Sequence, residues 1–209
     1  MFHDRFDAGK RLAKALERYK GRKDAIILAI PRGALQIGEV LHEKLGLPLD
    51  IIITKKIPHP MQEEFAIGAV GSGGVRIIND EAAASVPNEY LENKIREITR
   101  SIEEKYKRYR GNEPVPVLNG KIVILVDDGI ATGSTMIAAI RIARKQRPKK
   151  IIVAVPVAPA DALVHIKAEA DEVICLEIPG VFFAIGAFYD DFVQVEDEEA
   201  IAILARCRK

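Results

Sequence analysis

The chain has 209 residues, enough for one domain with a sizeable core, and its 31 Lys and Arg against 30 Asp and Glu leave no broad basic field for nucleic acid. Two cysteines without CxxC spacing exclude a disulfide scaffold or a zinc site and point to a reducing cytoplasm. The start MFHDRFDAGKRL is too charged for a signal peptide, and no apolar run is long enough to cross a bilayer, so a membrane is not an expected partner.

Residues 4–19 read as an amphipathic packing helix, with Phe6, Leu12, Ala13 and Leu16 on one face and Asp4 or Asp7 as its cap. Residues 25–30, AIILAI, are a continuous apolar run and hence a buried strand. Pro31-Arg32-Gly33-Ala34 interrupts it, and residues 34–45 are helical in pattern. Arg32 is either a solvated loop residue or a forked anion ligand. Residues 49–54 form the next strand. Residues 55–64 are a polar loop that bears prolines and opens with Lys55 and Lys56. Those lysines are either a solvated strand end or cations for a ligand.

Residues 67–70 and 75–78, joined by GSGG, read as a hairpin; the spacing G-x-G-x-x-G is absent. His59 has no partner at metal-site spacing. After a short helical turn at residues 80–85, Pro87 opens a long charged helix to about Arg110. Leu91, Ile95, Ile98, Ile102 and Tyr106 recur along it at three- and four-residue spacing. Residues 111–120 are a connector with Pro114 and Pro116.

The stretch VILVDDGIATGST, residues 123–135, organises the chain. Its apolar β-branched start is a strand buried on both faces. Asp127 and Asp128 stand at the carboxyl end of that strand, where open parallel sheets bind ligands. Gly129, Ile130, Ala131, Thr132, Gly133, Ser134 and Thr135 then lead into a helix. The two glycines let backbone N–H groups approach an anion, the helix start aims its dipole the same way, and three hydroxyls add donors. That describes a cup for one phosphate. The aspartates only accept hydrogen bonds, so they suit vicinal hydroxyls or a hydrated cation. A tight turn with two solvated acids is the plainer alternative.

Residues 151–155 and 173–176 are further strands, with a helix over 160–169 between them, and Cys175 reads as a buried apolar residue. Residues 178–195, IPGVFFAIGAFYDDFVQV, crowd aromatics, glycines and two acids together, as a packing seam or as a lid over a planar substrate. A helix over residues 197–207 closes the pattern. Alternation of strand and helix implies an α/β fold, with a mostly parallel sheet of about five strands and right-handed crossovers.

Residues 123–135 resemble the ribose-phosphate signature of type I phosphoribosyltransferases: four apolar residues, two acids, then a loop of Thr and Gly. The resemblance implies the type I phosphoribosyltransferase fold, a mostly parallel central sheet flanked by helices. A flap hairpin and a small hood from the termini would complete it. The chain would be one domain over residues 1–209, with its core at about 22–177 and its hood at about 1–21 and 178–209. The resemblance assigns the ribose hydroxyls of phosphoribosyl pyrophosphate (PRPP) to Asp127 and Asp128, and the 5-phosphate to residues 129–135. Pyrophosphate would fall to Arg32, Gly33 and Lys55 or Lys56, with a strained cis peptide expected at Arg32–Gly33. Residues 55–64 would be a lid.

The tail is similar to that of an uncharacterised prokaryotic subgroup, aromatic-Tyr-x-Asp-Phe-x-Gln, here Phe188, Tyr189, Asp191, Phe192 and Gln194, with phenylalanine where tryptophan is commoner. With Phe183 these residues would form the acceptor side of the hood. The implied reaction displaces pyrophosphate from PRPP by a nitrogen nucleophile. Mg²⁺ is the implied cofactor, held mainly by PRPP with a contact to Asp127 or Asp128. The partners are PRPP and a small nitrogenous acceptor, and a homodimer is compatible with the pattern. Ala131 replaces the aspartate of the 6-oxopurine enzymes, so guanine and hypoxanthine are not the expected acceptors. The rival is a non-catalytic PRPP sensor, since fold does not fix function.

Overall fold

A computed structural model describes residues 1–207, the side chains of residues 63 and 64 excepted. The chain runs α1 (Arg5–Ala15), β1 (Ala25–Ala29), α2 (Ala34–Leu45), β2 (Leu49–Ile51), β3 (Thr54–His59), β4 (Gln62–Gly71), β5 (Arg76–Ile78), α3 (Asp80–Ala83), α4 (Asn88–Arg110), β6 (Ile122–Val126), α5 (Ser134–Lys145), β7 (Lys150–Val157), α6 (Ala160–Glu169), β8 (Glu172–Glu177) and α7 (Asp197–Arg206). Five strands form a parallel sheet in the order β2-β1-β6-β7-β8.

Side-chain alternation assigns the two faces of that sheet. Ile27, Ile124 and Ile152 point into the core under α1, α2 and α7, together with Leu12, Leu35 and Ile203. Ile26, Val123 and Ile151 point the other way, into the core under α5 and α6, with Met136, Ile140 and Leu163. Burial on both faces explains why these strands are apolar throughout. The strand order reverses between β1 and β6: the chain moves outward from β1 to β2, then returns to lay β6 on the other side of β1. The crevice beyond the carboxyl ends of β1 and β6 is therefore the switch point where such sheets bind ligands.

The two ends of the chain meet above that crevice. Phe2 and Tyr189 form a parallel bridge, with Phe2 N donating to the Phe188 carbonyl at 2.8 Å and Asp190 N donating back to Phe2 at 2.9 Å. Asp4 caps α1 through the Asp7 N–H at 2.7 Å. The buried stripe of α1 is Arg5, Ala8, Gly9, Leu12 and Ala13. Phe6, expected on the packed face, lies beside that stripe and is 38% exposed. Leu12, Ala13 and Leu16 are buried as expected, and the stripe extends on the side of Arg5 instead of Phe6, which carries a charged residue inward.

The second sheet, β3-β4-β5, is antiparallel and corrects two expectations. The strand expected over residues 49–54 ends at Ile51, because the chain leaves one sheet for the other. Ser72 clasps the crossing: its N–H donates to the Ile53 carbonyl at 2.9 Å, and its Oγ accepts from Ile53 N at 3.0 Å. The polar loop expected over residues 55–64 is instead a hairpin, β3 with the start of β4. Pro58 does not prevent this, because β3 is an edge strand and Pro58 falls where the register shifts. The shorter hairpin expected from residues 67–70 and 75–78 is present as β4 with β5.

Candidate functional site

Two turns face each other across the switch point. The first, residues 30–33, follows β1; the second, residues 127–133, follows β6. Each is fastened to the neighbouring strand, with Ile30 N donating to the Val126 carbonyl at 3.0 Å and Ile130 N to the Val157 carbonyl at 2.9 Å. The second turn encloses a cavity of about 180 Å³, lined by Asp127, residues 129–136 and Ile185. Gly133 takes a left-handed φ of 80°, which a side chain would resist, and from it α5 starts with its free N–H groups at the cavity. Thr132 Oγ1 and Ser134 Oγ lie 3.2 Å apart and share a hydroxyl hydrogen bond. The cup read from residues 129–135 is thus present as a shape, with Ala131 and Thr132 at its exposed lip.

The acids differ in their surroundings. Asp127 Oδ1 accepts from the Asp128 N–H at 2.9 Å. Burial, and then the neighbouring Asp128 charge, push the Asp127 carboxyl well above the usual aspartate range. Asp128 Oδ2 accepts from Arg5 Nε at 2.7 Å. The backbone carbonyl of Asp128 accepts from the Tyr189 hydroxyl at 2.6 Å, and burial followed by the Asp128 charge raises the Tyr189 phenol. Gly33 packs directly on the Asp128 carboxylate. The first turn, the second turn and both hood segments therefore meet at one aspartate.

The cations read for pyrophosphate are not gathered as a group. Gly33 stands at the acids, while the side chain of Arg32 turns to α7, with Nη1 at 3.4 Å from both Glu196 Oε2 and Asp197 Oδ1. The cis peptide is Pro31–Arg32, one bond before the expected Arg32–Gly33. Lys55 and Lys56 are neighbours in a strand and so point to opposite faces. Lys55 Nζ donates to Ser101 Oγ of α4 at 2.6 Å. Lys56 lines a cleft of about 510 Å³ between the second sheet and α5, whose wall includes Ser134 and Arg141.

In the hood, Phe192 lies under the Arg5 guanidinium, whose carbon is 3.8 Å from the ring centroid. Tyr189 and Phe192 are 4.9 Å apart between centroids, and Phe182 and Phe188 stack at 5.6 Å. Phe183 is 89% exposed. Asp191 is exposed and joins the hood through its N–H, which donates to the His3 carbonyl at 2.8 Å. Two participants escaped the sequence reading. Ile185 closes one wall of the cup and would meet a Cβ on Gly129 at 2.5 Å. Arg5 is the other. Its signal was its place in the 5, 8, 9, 12, 13 stripe of α1, a charge on the buried face.

Among the described residues, no three acidic, histidine or cysteine side chains are grouped to cage a metal ion. The nearest donors are Asp127, biased toward its neutral form, and Asp128, already paired with Arg5. Asp127 and Asp128 are the carboxylates that could touch a Mg²⁺ ion carried by ligand phosphates, which needs no protein cage of its own.

The model of the phosphoribosyl transferase domain matches residues 2–192. "Putative phosphoribosyl transferase Rv0571c" of Mycobacterium tuberculosis H37Rv is 37% identical over 215 residues, covering 100% of this chain and 47% of the relative. Its counterpart in strain CDC 1551, "Putative phosphoribosyl transferase MT0597", matches equally. The chain thus spans about half the length of these curated relatives. The crystal structure of TT1426 from Thermus thermophilus superposes with a TM-score of 0.89 at 38% identity, covering 98% of each chain.

Proposed function

The chain belongs to the phosphoribosyl transferase family, and from that premise we propose that it transfers the 5-phosphoribosyl group of PRPP to a nitrogen nucleophile with release of pyrophosphate. The observation that carries this reading is the pairing of a one-phosphate cup with two acids at the switch point, under a hood from both terminal segments. Residues 129–135 would hold the 5-phosphate by backbone N–H groups and hydroxyls. Asp127 and Asp128 would take the ribose hydroxyls. The backbone of Arg32 and Gly33, with the Arg32 side chain once released from α7, would receive the pyrophosphate.

As the bond from C1 to pyrophosphate breaks, its electron pair leaves with the diphosphate and the ribose becomes cationic. The lone pair of the acceptor nitrogen forms the new bond to C1, and the proton of that nitrogen is released to solvent. The protein's part is to fix the sugar between cup and acids, exclude water under the hood and stabilise the leaving charge. Mg²⁺, when bound, neutralises diphosphate charge. The acceptor is a small nitrogenous heterocycle resting against the hood aromatics. Ala131 offers no proton acceptor, which argues against guanine and hypoxanthine. The two free cysteines fit a cytoplasmic setting.

A second reading has its own observation. Asp128 is paired with Arg5, and Arg32 with Glu196 and Asp197, so charges that would meet PRPP are satisfied internally, as in a protein that binds PRPP without turnover. Incubation with Mg–PRPP and a panel of purines, pyrimidines and related heterocycles, followed by pyrophosphate release, separates the readings. We expect release with one acceptor class and none with guanine. PRPP binding without release from any acceptor would favour the sensor, and failure to bind PRPP would exclude both.

A further inference from the structure

Among the described residues, Arg5 is the most deeply buried cation, at 6% exposure. Its planar fork has two fixed ends: Nε donates to Asp128 Oδ2 and Nη1 donates to the Val193 carbonyl, each at 2.7 Å. Its flat face rests on Phe192. Its Nε also passes within 2.9 Å of where a Cβ on Gly33 would lie. One side chain therefore touches the turn after β1, the acid after β6 and the C-terminal tail, while anchored in the N-terminal helix.

The tail meets Arg5 only through the Val193 carbonyl and the Phe192 ring, while its acids Glu196 and Asp197 are paired with Arg32. Arg5 instead takes its carboxylate from the acid pair at the switch point. Lysine cannot copy the arrangement, because a point charge on a flexible stem does not span two acceptors in fixed directions. The pairing engages Oδ2, which Gly33 also backs, and so restricts where the Asp128 carboxylate can lie beside Asp127.

We propose that Arg5 is a positioning residue for sugar recognition: it aims the Asp128 carboxylate at the vicinal hydroxyls of a pentose 5-phosphate, and it makes that aim depend on the tail being docked. The inference rests on the PRPP reading above. Phe192 and Val193 hold Arg5, and Arg5 holds Asp128, so a displaced tail releases the acid. Docking of the hood and recognition of the diol become one event, with no contact between Arg5 and the sugar.

The test compares three probes by calorimetry: ribose 5-phosphate, 2-deoxyribose 5-phosphate and inorganic phosphate. The parent should favour ribose 5-phosphate over its deoxy analogue by about tenfold or more, as sites built around a substrate hydroxyl do. In Arg5→Met that preference should fall below about threefold while phosphate affinity stays at the parent value, because the cup makes no contact with Arg5. A preference kept intact in Arg5→Met overturns the proposal, and so does an equal loss for all three probes, which marks a merely structural residue. If Arg5→Met does not fold, Arg5→Lys decides: an intermediate preference supports the proposal and the full parent preference overturns it. A parent that binds neither sugar phosphate removes the PRPP reading itself, and this inference with it.

Discussion

Gly33 and Asp128 come from different strands, yet a single methyl group on Gly33 would overlap the Asp128 carboxylate. The backbone of the first turn is thus in van der Waals contact with the acid of the second. Gly33→Ala should push Asp128 off Arg5 and weaken Mg–PRPP binding by about 1–3 kcal/mol, the scale of a charged hydrogen bond lost from a buried site. Calorimetry with the parent as reference checks this. Equal affinities would show that Asp128 has room to yield.

Thr132 stands at the lip of the cup with its hydroxyl toward Ser134. Thr132→Val keeps the shape and removes the donor, so PRPP affinity should again drop by about 1–3 kcal/mol, while the melting temperature holds because the residue is exposed. A binding isotherm that overlays the parent's would take Thr132 out of the cup.

Asp127 holds its proton more tightly in the folded protein than at its ordinary value of 3.8. Above that pH, folding takes up a proton that the unfolded side chain has released. The residue's contribution to stability is complete below pH 3.8 and is lost as pH rises through the folded value. Asp127→Asn cannot ionise, so it should melt higher than the parent at neutral pH, with the gap closing toward about pH 4. The midpoint belongs to the Asp127–Asp128 pair rather than to one acid. Melting curves of both proteins across pH would refute this if the gap widened on acidification.

Asp197 occupies the side chain that pyrophosphate would recruit. It lies 3.4 Å from Arg32 Nη1 and is held by the Tyr109 hydroxyl at 2.6 Å and by Arg108 at 2.7 Å. The Tyr109 hydrogen bond, with Arg108 and Arg32 acting alongside, keeps its carboxyl below the ordinary range. Asp197→Asn removes a competing anion and should tighten binding of Mg–pyrophosphate by up to about fivefold, the modest scale of partly exposed ion pairs. Weaker binding would mean that Asp197 orients Arg32 for the ligand instead of restraining it.

The hairpin of β3 and β4 refines the lid expectation. Pairs from Lys55–Val70 to Ile57–Gly68 form a regular ladder, and Ile57 is fully buried, so the base is held without ligand. Met61 at the tip is 88% exposed. Amide exchange should therefore be slow in the free protein at residues 55 and 57, whose N–H groups alternate toward β4, and Mg–PRPP should add protection only near residues 59–62. Unchanged exchange at the tip would rule out a lid.

Residues 123–135 were legible because most of their message is local: strand, acids, glycines and hydroxyls lie consecutively, and only the tie to Val157 and the wall from Ile185 come from elsewhere in the chain. The alternating cores of β1, β6 and β7 were equally plain from continuous apolar runs. Arg5 was not, since its meaning depends on an acid 123 positions away and a tail carbonyl 188 away. Lys55 and Lys56 were read as a pair because they adjoin in sequence. The pleat of β3 separates them, and that strand was hidden by Pro58 and by the scarcity of apolar residues besides Ile57.

The bridge between Phe2 and Tyr189 also bears on synthesis. A growing chain lays down β1, β6 and the turn after β6 well before the tail exists, but Ile185, which walls the cup, and Val193, through which Arg5 steadies Asp128, must wait for the tail to emerge. Closing so long a loop is among the slower, high-contact-order steps of folding. The nascent protein thus passes through an interval with the turn after β6 in place and Asp128 not yet held by Arg5. On the PRPP reading, fragments cut short of the tail should keep some affinity for simple phosphate while failing to discriminate among pentoses.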